Sequence, residues 1–192
     1  MHRGFNHVGL ATRDMDATLA FYCNVLGYKI VRYDRNLITE GGSMRHVFLD
    51  CGSSQLLSFL APEGVESVGP WATGINEGLS VPRSFYHFAF HADSEEELEA
   101  VRTALTNNKI SVSPVIDHDW CRSVYFDDPV NGLSLEYCRY TREFNEDDRT
   151  LSTRMTAPIG TFHMDLAAMA ESEADRFATL AKRGIDNSHA KH

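Results

Sequence analysis

Apolar and polar positions along the chain fall into two successive series of the same order. Phe5-Asn6-His7-Val8-Gly9-Leu10 alternates as a strand does, and Phe85-Tyr86-His87-Phe88-Ala89-Phe90 resembles it 80 positions later. A helical stripe follows each. The first carries Met15, Leu19, Tyr22 and Leu26 and stops at Gly27. The second carries Leu98, Val101 and Leu105, and Ser94 with Glu97 forms a capping box at its start. Short apolar runs then predict strands over 28–33, 45–50 and 55–60, and again over 111–116, 122–127 and 133–137.

The predicted order is therefore β-α-β-β-β, twice. This is an α+β chain with a first module over 1–62, a Gly- and Pro-rich linker over 63–83 and a second module over 84–140. A C-terminal extension over 141–192 follows, with a main helix predicted over 162–183. Its stripe includes Leu166, Met169, Phe177 and Leu180, and Gly184 stands just beyond its end. Such a stripe packs on its own domain or on a second subunit. The linker is long for a structureless loop, so part of it is expected to cover a site. Residues 36–43 form a second predicted loop.

Composition narrows the field. Hydrophobic residues make up 43% and charged residues 23%, ordinary values for a globular chain. With 18 basic against 27 acidic residues the net charge is −9, which offers no footprint for nucleic acid or anionic lipid. No apolar run reaches the length of about 18 residues that a membrane span needs. The N-terminus lacks the apolar core of a secretory signal. Cys23, Cys51, Cys121 and Cys138 form no C-x-x-C pair, so reduced thiols and a cytoplasmic location are the expectation.

Strand alternation sorts the chemistry by face. His7, Gly9 and Ala11 share one face of the first strand, and His87, Ala89 and His91 share the matching face of the fifth. In the last strand Ser134, Glu136 and Cys138 oppose the apolar Leu133, Leu135 and Tyr137. A lone strand histidine is usually structural. A carboxylate flanked by Leu135 and Tyr137 is different, because it is costly to bury unless paired or metal-bound. Two histidines at matching repeat positions plus Glu136 read as a metal site. Two imidazoles and one carboxylate leave positions open on one side, which suits Fe(II), with Mn(II) as the competitor.

These residues resemble the vicinal oxygen chelate superfamily of glyoxalase, bleomycin-resistance and extradiol dioxygenase proteins. The resemblance covers about 5–140. It rests on His7-Val8-Gly9-Leu10, Phe21-Tyr22 with Leu26-Gly27-Tyr28, His87-Phe88-Ala89-Phe90, and Asp127-Asp128-Pro129 leading to Leu133-Ser134-Leu135-Glu136-Tyr137. It implies two βαβββ modules pairing their sheets into a cup, with a metal held from the first and last strands of each. By position those sites are His7, Ser58, His87 and Glu136. Glyoxalase-like lyases of the family usually use four ligands with two carboxylates. Ser58 removes one of them and leaves the triad His7, His87 and Glu136.

The stretch from His118 through Val124-Tyr125, Asp128-Pro129 and Gly132 to Glu136 is similar to the C-terminal motif of extradiol ring-cleavage dioxygenases, with one extra residue between Pro129 and Gly132. That similarity assigns acid–base work to His118 and a hydrogen bond to the substrate oxygen to Tyr125. It implies an Fe(II)-dependent dioxygenase acting on a catechol-like substrate with O₂, as a homodimer. Two alternatives stand beside it. One is another metal-dependent lyase, isomerase or thiol transferase of the superfamily, for which Mn(II), Zn(II) or Ni(II) would serve. The other is a non-catalytic protein that sequesters an apolar ligand. Further candidates are secondary. His46 reads as an ordinary strand histidine, and His91 is too far along its strand to share an ion with His87. Arg122 reads as a structural ion pair. Trp71 and Trp120 would wall an aromatic pocket or simply pack.

Overall fold

The computed structural model describes residues 4–149 except 67 and 70. The helix predicted over 162–183 lies outside the described residues. Strand β1 (His7–Ala11) leads to helix α1 (Met15–Leu19), which continues as a π-helical turn over Ala20–Val25. The Asp14 side chain caps α1 by accepting from the Ala17 amide at 2.9 Å. Gly27, at φ +78°, then turns the chain out of the helix, a conformation a Cβ would resist. Strands β2 (Lys29–Leu37), β3 (Ser43–Asp50) and β4 (Leu56–Glu63) complete the first module. The second follows as β5 (His87–His91), α3 (Glu95–Asn107), β6 (Ile116–Asp117), β7 (Cys121–Asp127) and β8 (Ser134–Tyr140). A short helix α2 (Ile75–Leu79) lies between the modules.

Each module makes one four-stranded sheet, in the orders β1-β4-β3-β2 and β5-β8-β7-β6. In both sheets the first and last strands run parallel and the others antiparallel. The two βαβββ modules predicted from the repeat are thus present. Register makes the repeat physical. Gly9 pairs with Ser58 and Phe48 with Ser58, just as Ala89 pairs with Glu136 and Tyr125 with Glu136.

Strands β4 and β8 each run three residues past their predicted ends at 60 and 137, to Glu63 and Tyr140, and two other elements differ more. The strand predicted over 111–116 shrinks to β6 and an isolated bridge between Val112 and Phe126. Pro114 stands between them and has no N–H to give to a ladder. Strand β2 instead runs on through Leu37, into the predicted loop, because Arg35, Asn36 and Leu37 pair with Arg45, Met44 and Ser43. It is an edge strand exposed along nearly its whole length. Its charges are tied down, Arg32 to Asp34 at 2.6 Å and Arg35 to Glu63 at 2.7 Å, the kind of charged edge that resists stray strand pairing.

The buried side chains of both modules form one core. Leu10, Val47, Leu49, Leu57 and Phe59 enter it from the first sheet. Val124, Phe126, Leu135 and Tyr137 enter from the second, with Tyr22, Leu98 and Leu105 from the helices. Polar groups lock the modules across this core. Tyr22 donates to Asp128 at 3.1 Å, Asn131 donates to Thr18 at 3.1 Å, and Tyr137 donates to Tyr28 at 2.9 Å. Asp128 also accepts the Val130 and Asn131 amides at 2.8 and 3.0 Å, so the turn takes up its extra residue without breaking. The bulky faces close on each other's module, and the faces that carry His7 and His87 point away from the core.

Candidate metal centre on the second sheet

Helix α3 selects which face of the second sheet is left for chemistry. Its Ser94 cap accepts from Glu97 at 3.1 Å while the Glu97 carboxylate accepts the Asp93 amide at 2.7 Å, the predicted capping box. Leu98 and Leu105 then join Val124, Leu135 and Tyr137 in the core. Arg122, on that helix side, pairs with Glu95 at 2.6 Å, so it is a structural ion pair, with a partner on α3. Strand alternation puts His87, Glu136 and Tyr125 on the opposite face.

There the structure brings together four of the five predicted site residues. His87 Nε2 lies 3.2 Å from Glu136 Oε2, and the Glu136 side chain is 7% exposed. His118 Nε2 lies 2.9 Å from the Tyr125 hydroxyl. The Tyr125 ring meets both imidazoles edge-on, with centroids 6.4 Å from His87 and 6.1 Å from His118. Tyr125 and Glu136 are direct cross-strand partners. Burial, then the charge of Glu136, pushes the Tyr125 pKa well above its ordinary range. Tyr125 therefore stays a neutral hydroxyl at physiological pH.

The His87 ring reports what the pair can hold. Its Nδ1 lies 3.1 Å from the Ser84 carbonyl. A carbonyl only accepts, so Nδ1 is assigned the proton and Nε2 presents a lone pair toward Glu136. A lone pair and a carboxylate oxygen at 3.2 Å require a cation or a proton between them. An imidazole whose other nitrogen donates to a carbonyl is also the usual posture of a metal ligand. The pair fits a metal of the oxygen- and nitrogen-binding class.

His7 occupies the equivalent place on the first sheet. Its Nδ1 faces Asn6 Oδ1 at 2.8 Å, which leaves Nε2 as the accepting nitrogen again. Its ring meets Phe48 edge-on at 5.5 Å, as His87 meets Tyr125. Ser58, the counterpart of Glu136, is buried, and its hydroxyl donates to the Val8 carbonyl at 3.5 Å. The sequence predicts convergence of His7, His87 and Glu136 on one ion. Among the described residues of one chain, no group of three or more His, Cys, Asp or Glu is placed to hold a metal. The reason is the shared core, which turns the two histidine faces outward.

Residues invisible to the motif reading position this site. Asn76 of α2, buried in the linker, donates to the Arg83 carbonyl at 2.6 Å and the Tyr86 carbonyl at 2.8 Å, and accepts the Tyr86 amide at 2.9 Å. It clamps the chain immediately before His87. The linker thereby supports the strand that carries the histidine. The remaining candidates separate. His46 lies against Phe48 at 4.2 Å, and burial lowers its pKa. His91 pairs with Asp93 at 3.4 Å. Trp71 stacks under Arg13 at 5.3 Å and lines a cavity of about 460 Å³ with Pro62, Val65 and Val68, which includes none of the predicted site residues. No described helix is long and apolar enough to cross a membrane.

Comparison with known proteins places this arrangement. No curated protein sequence matches the chain. Among solved structures it is similar to SMU.1112c, at 25% identity over 71% of this chain and 98% of that one, with a TM-score of 0.54. It also resembles a glyoxylase/bleomycin resistance protein/dioxygenase domain from Frankia sp. EAN1pec, at 20% identity over 73% and 99% of the two chains and a TM-score of 0.54. A glyoxalase family protein from Enterococcus faecalis matches at 23% identity over 71% and 97%, with a TM-score of 0.51. The family model for the Glyoxalase/Bleomycin resistance protein/Dioxygenase superfamily matches residues 4–137. With its two βαβββ modules and its paired histidine positions, the chain belongs to the glyoxalase/bleomycin resistance protein/dioxygenase superfamily.

Proposed function

We propose that the chain is a metal-dependent dioxygenase of the extradiol type, opening a small catecholic ring with O₂ in a site completed by a second copy. The observation that supports it most is the grouping of His87–Glu136 with His118–Tyr125 on the face opposite α3. A lyase of the two-carboxylate kind would need a second acid where this chain has Ser58. Each chain offers His87 and Glu136 from one sheet and an outward His7 from the other. His7 of a second copy would complete a set of two imidazoles and one carboxylate, which suits Fe(II).

When bound, the metal would hold both catechol oxygens and O₂ side by side. The chain's own groups handle the protons. His118, hydrogen-bonded through Nε2 to Tyr125, is placed to take a proton from the substrate hydroxyl and return it later. Tyr125, held neutral, has one hydroxyl proton, which it turns from His118 to the substrate oxygen when substrate enters, freeing His118 Nε2 to accept.

The deciding experiment is metal analysis of protein purified without oxygen, followed by oxygen uptake with catechol. Stoichiometric iron and one O₂ consumed per ring opened support the proposal. Nickel or zinc, with no oxygen uptake after iron loading, moves the chain to the lyase, isomerase and transferase members. An intact fold with no metal affinity moves it to the ligand-sequestering members.

A further inference from the structure

The linker is expected from its length to cover a site, and a cavity opens at its beginning, where the parallel strands β1 and β4 end side by side. The Thr12 amide still donates to the Leu60 carbonyl at 2.9 Å, and the Thr12 hydroxyl accepts the Asp14 amide at 3.1 Å. Arg13 therefore stands on a turn fixed on both sides. Beyond β4 the linker turns, with the Val68 amide donating to the Val65 carbonyl at 3.3 Å. It is tied down again where the Thr73 hydroxyl donates to the Asn131 carbonyl at 2.9 Å. Trp71, between these two ties, lies under the Arg13 guanidinium at 5.3 Å.

Arg13, Glu66 and Trp71 line the cavity of about 460 Å³ together with Pro62, Val65 and Val68. Small-molecule sites span about 300–1,000 Å³. Stacking on Trp71 engages the face of the guanidinium and leaves its N–H edge for another partner. Among the described residues, no hydrogen bond or ion pair reaches the side chain of Arg13 or of Glu66. A cation and an anion thus share one cavity without pairing with each other. Both are exposed, and a single ion pair at a wetted rim holds a small molecule poorly. The ligand that fits carries two opposite charges and an apolar group.

We propose that this cavity binds an α-amino acid with an apolar side chain. The α-carboxylate accepts from the N–H edge of Arg13, the α-ammonium faces Glu66, and the side chain lies against Pro62, Val65 and Val68. The site is separate from the metal centre, since none of the predicted metal residues lines it, and it does not depend on which reaction the chain performs.

Calorimetric titration of the full chain with L-leucine tests it. Two further probes each lack one charge: 4-methylpentanoate has no ammonium, and 3-methylbutylamine has no carboxylate. L-Leucine should bind saturably, and each probe roughly tenfold or more weakly, the scale of a lost charge-assisted hydrogen bond. Arg13→Gln should weaken L-leucine by a similar factor and leave 3-methylbutylamine unchanged. Glu66→Gln should bring L-leucine toward the affinity of 4-methylpentanoate and leave that acid bound no more weakly. A misfolded variant would fail with every probe, so these opposite responses separate recognition from folding. No saturable binding at millimolar L-leucine would overturn the proposal. Equal binding of L-leucine and 4-methylpentanoate would do the same, because Glu66 would then take no part. Loss of L-leucine binding in Glu136→Ala would also overturn it, by placing the amino acid on the metal centre.

Discussion

Glu136 and His118 lie on either side of Tyr125, and their roles separate on substitution. Glu136 is a buried carboxylate that lies 3.2 Å from His87 Nε2 and also meets the Tyr125 hydroxyl. Glu136→Gln keeps its volume and removes the charge. Equilibrium dialysis should then show metal affinity lowered by far more than the effect of His118→Ala, because a dication would be left with neutral donors. His118→Ala should keep its metal and lose about 10²-fold in catechol turnover, the scale of a lost acid or base. An unchanged rate would remove His118 from the reaction. Both residues were legible in the sequence, Glu136 from its place in an apolar strand and His118 from its spacing to Tyr125. Their contacts were not legible, because the 2.9 Å hydrogen bond of His118 depends on where a loop folds back.

Among the elements, the linker differs most from its appearance in the sequence. Its Gly and Pro content reads as a loop that covers a site, whereas α2 contributes Asn76 as a clamp on the entry to β5. Four hydrogen bonds converge on that one side chain, the fourth to the Ser134 hydroxyl at 3.4 Å. Asn76→Ala strips the Tyr86 carbonyl and amide of that partner, while the Arg83 carbonyl keeps the Ser134 hydroxyl at 2.7 Å, and should cost about 1–2 kcal/mol in urea unfolding. Because the clamp precedes His87, metal affinity should fall by about tenfold as well, the effect of a lost positioning group. Full metal affinity in a destabilised variant would show that β5 holds His87 without help. The strand predicted over 111–116 fails for a local reason, Pro114. The overrun of β2 has a non-local one, since only the pairing with β3 decides where that strand ends.

In the whole molecule, the two modules are joined by a core that buries ionisable hydroxyls. Tyr137 is pushed up to about 12 by burial, and Tyr22 and Tyr28 lie well above their ordinary value of 10.0 for the same cause. In the unfolded chain these groups ionise near pH 10, while the folded chain keeps their protons. Stability should therefore be level below about pH 9 and fall as pH rises toward 12, by up to about 1.4 kcal/mol per pH unit for each group. Denaturant midpoints between pH 8 and 11.5 check this, and a flat profile would show that the core opens to water. The outward histidine faces set a second test. If two copies complete each site, His7→Ala and Glu136→Ala proteins should each be metal-poor. Unfolded and refolded as an equal mixture, they should recover about a quarter of the wild-type sites, since half the dimers are mixed and each has one intact site. No recovery would rule out sites shared between copies.

The sequence by itself determined the modules, because an 80-residue echo of alternating strands and capped helices is a local property that each segment carries alone. It also determined which side chains share a face of the second sheet, since residues two apart on a strand must lie on one side. It could not determine which faces meet. That choice was made by packing. Tyr22 with Asp128, Thr18 with Asn131 and Tyr28 with Tyr137 join residues more than 100 positions apart. These contacts close the bulky faces into one core and leave His7 and His87 facing outward. The separation of His7 from His87 and Glu136 follows from burial of the larger apolar area, and a strand pattern carries no record of which partner will bury it.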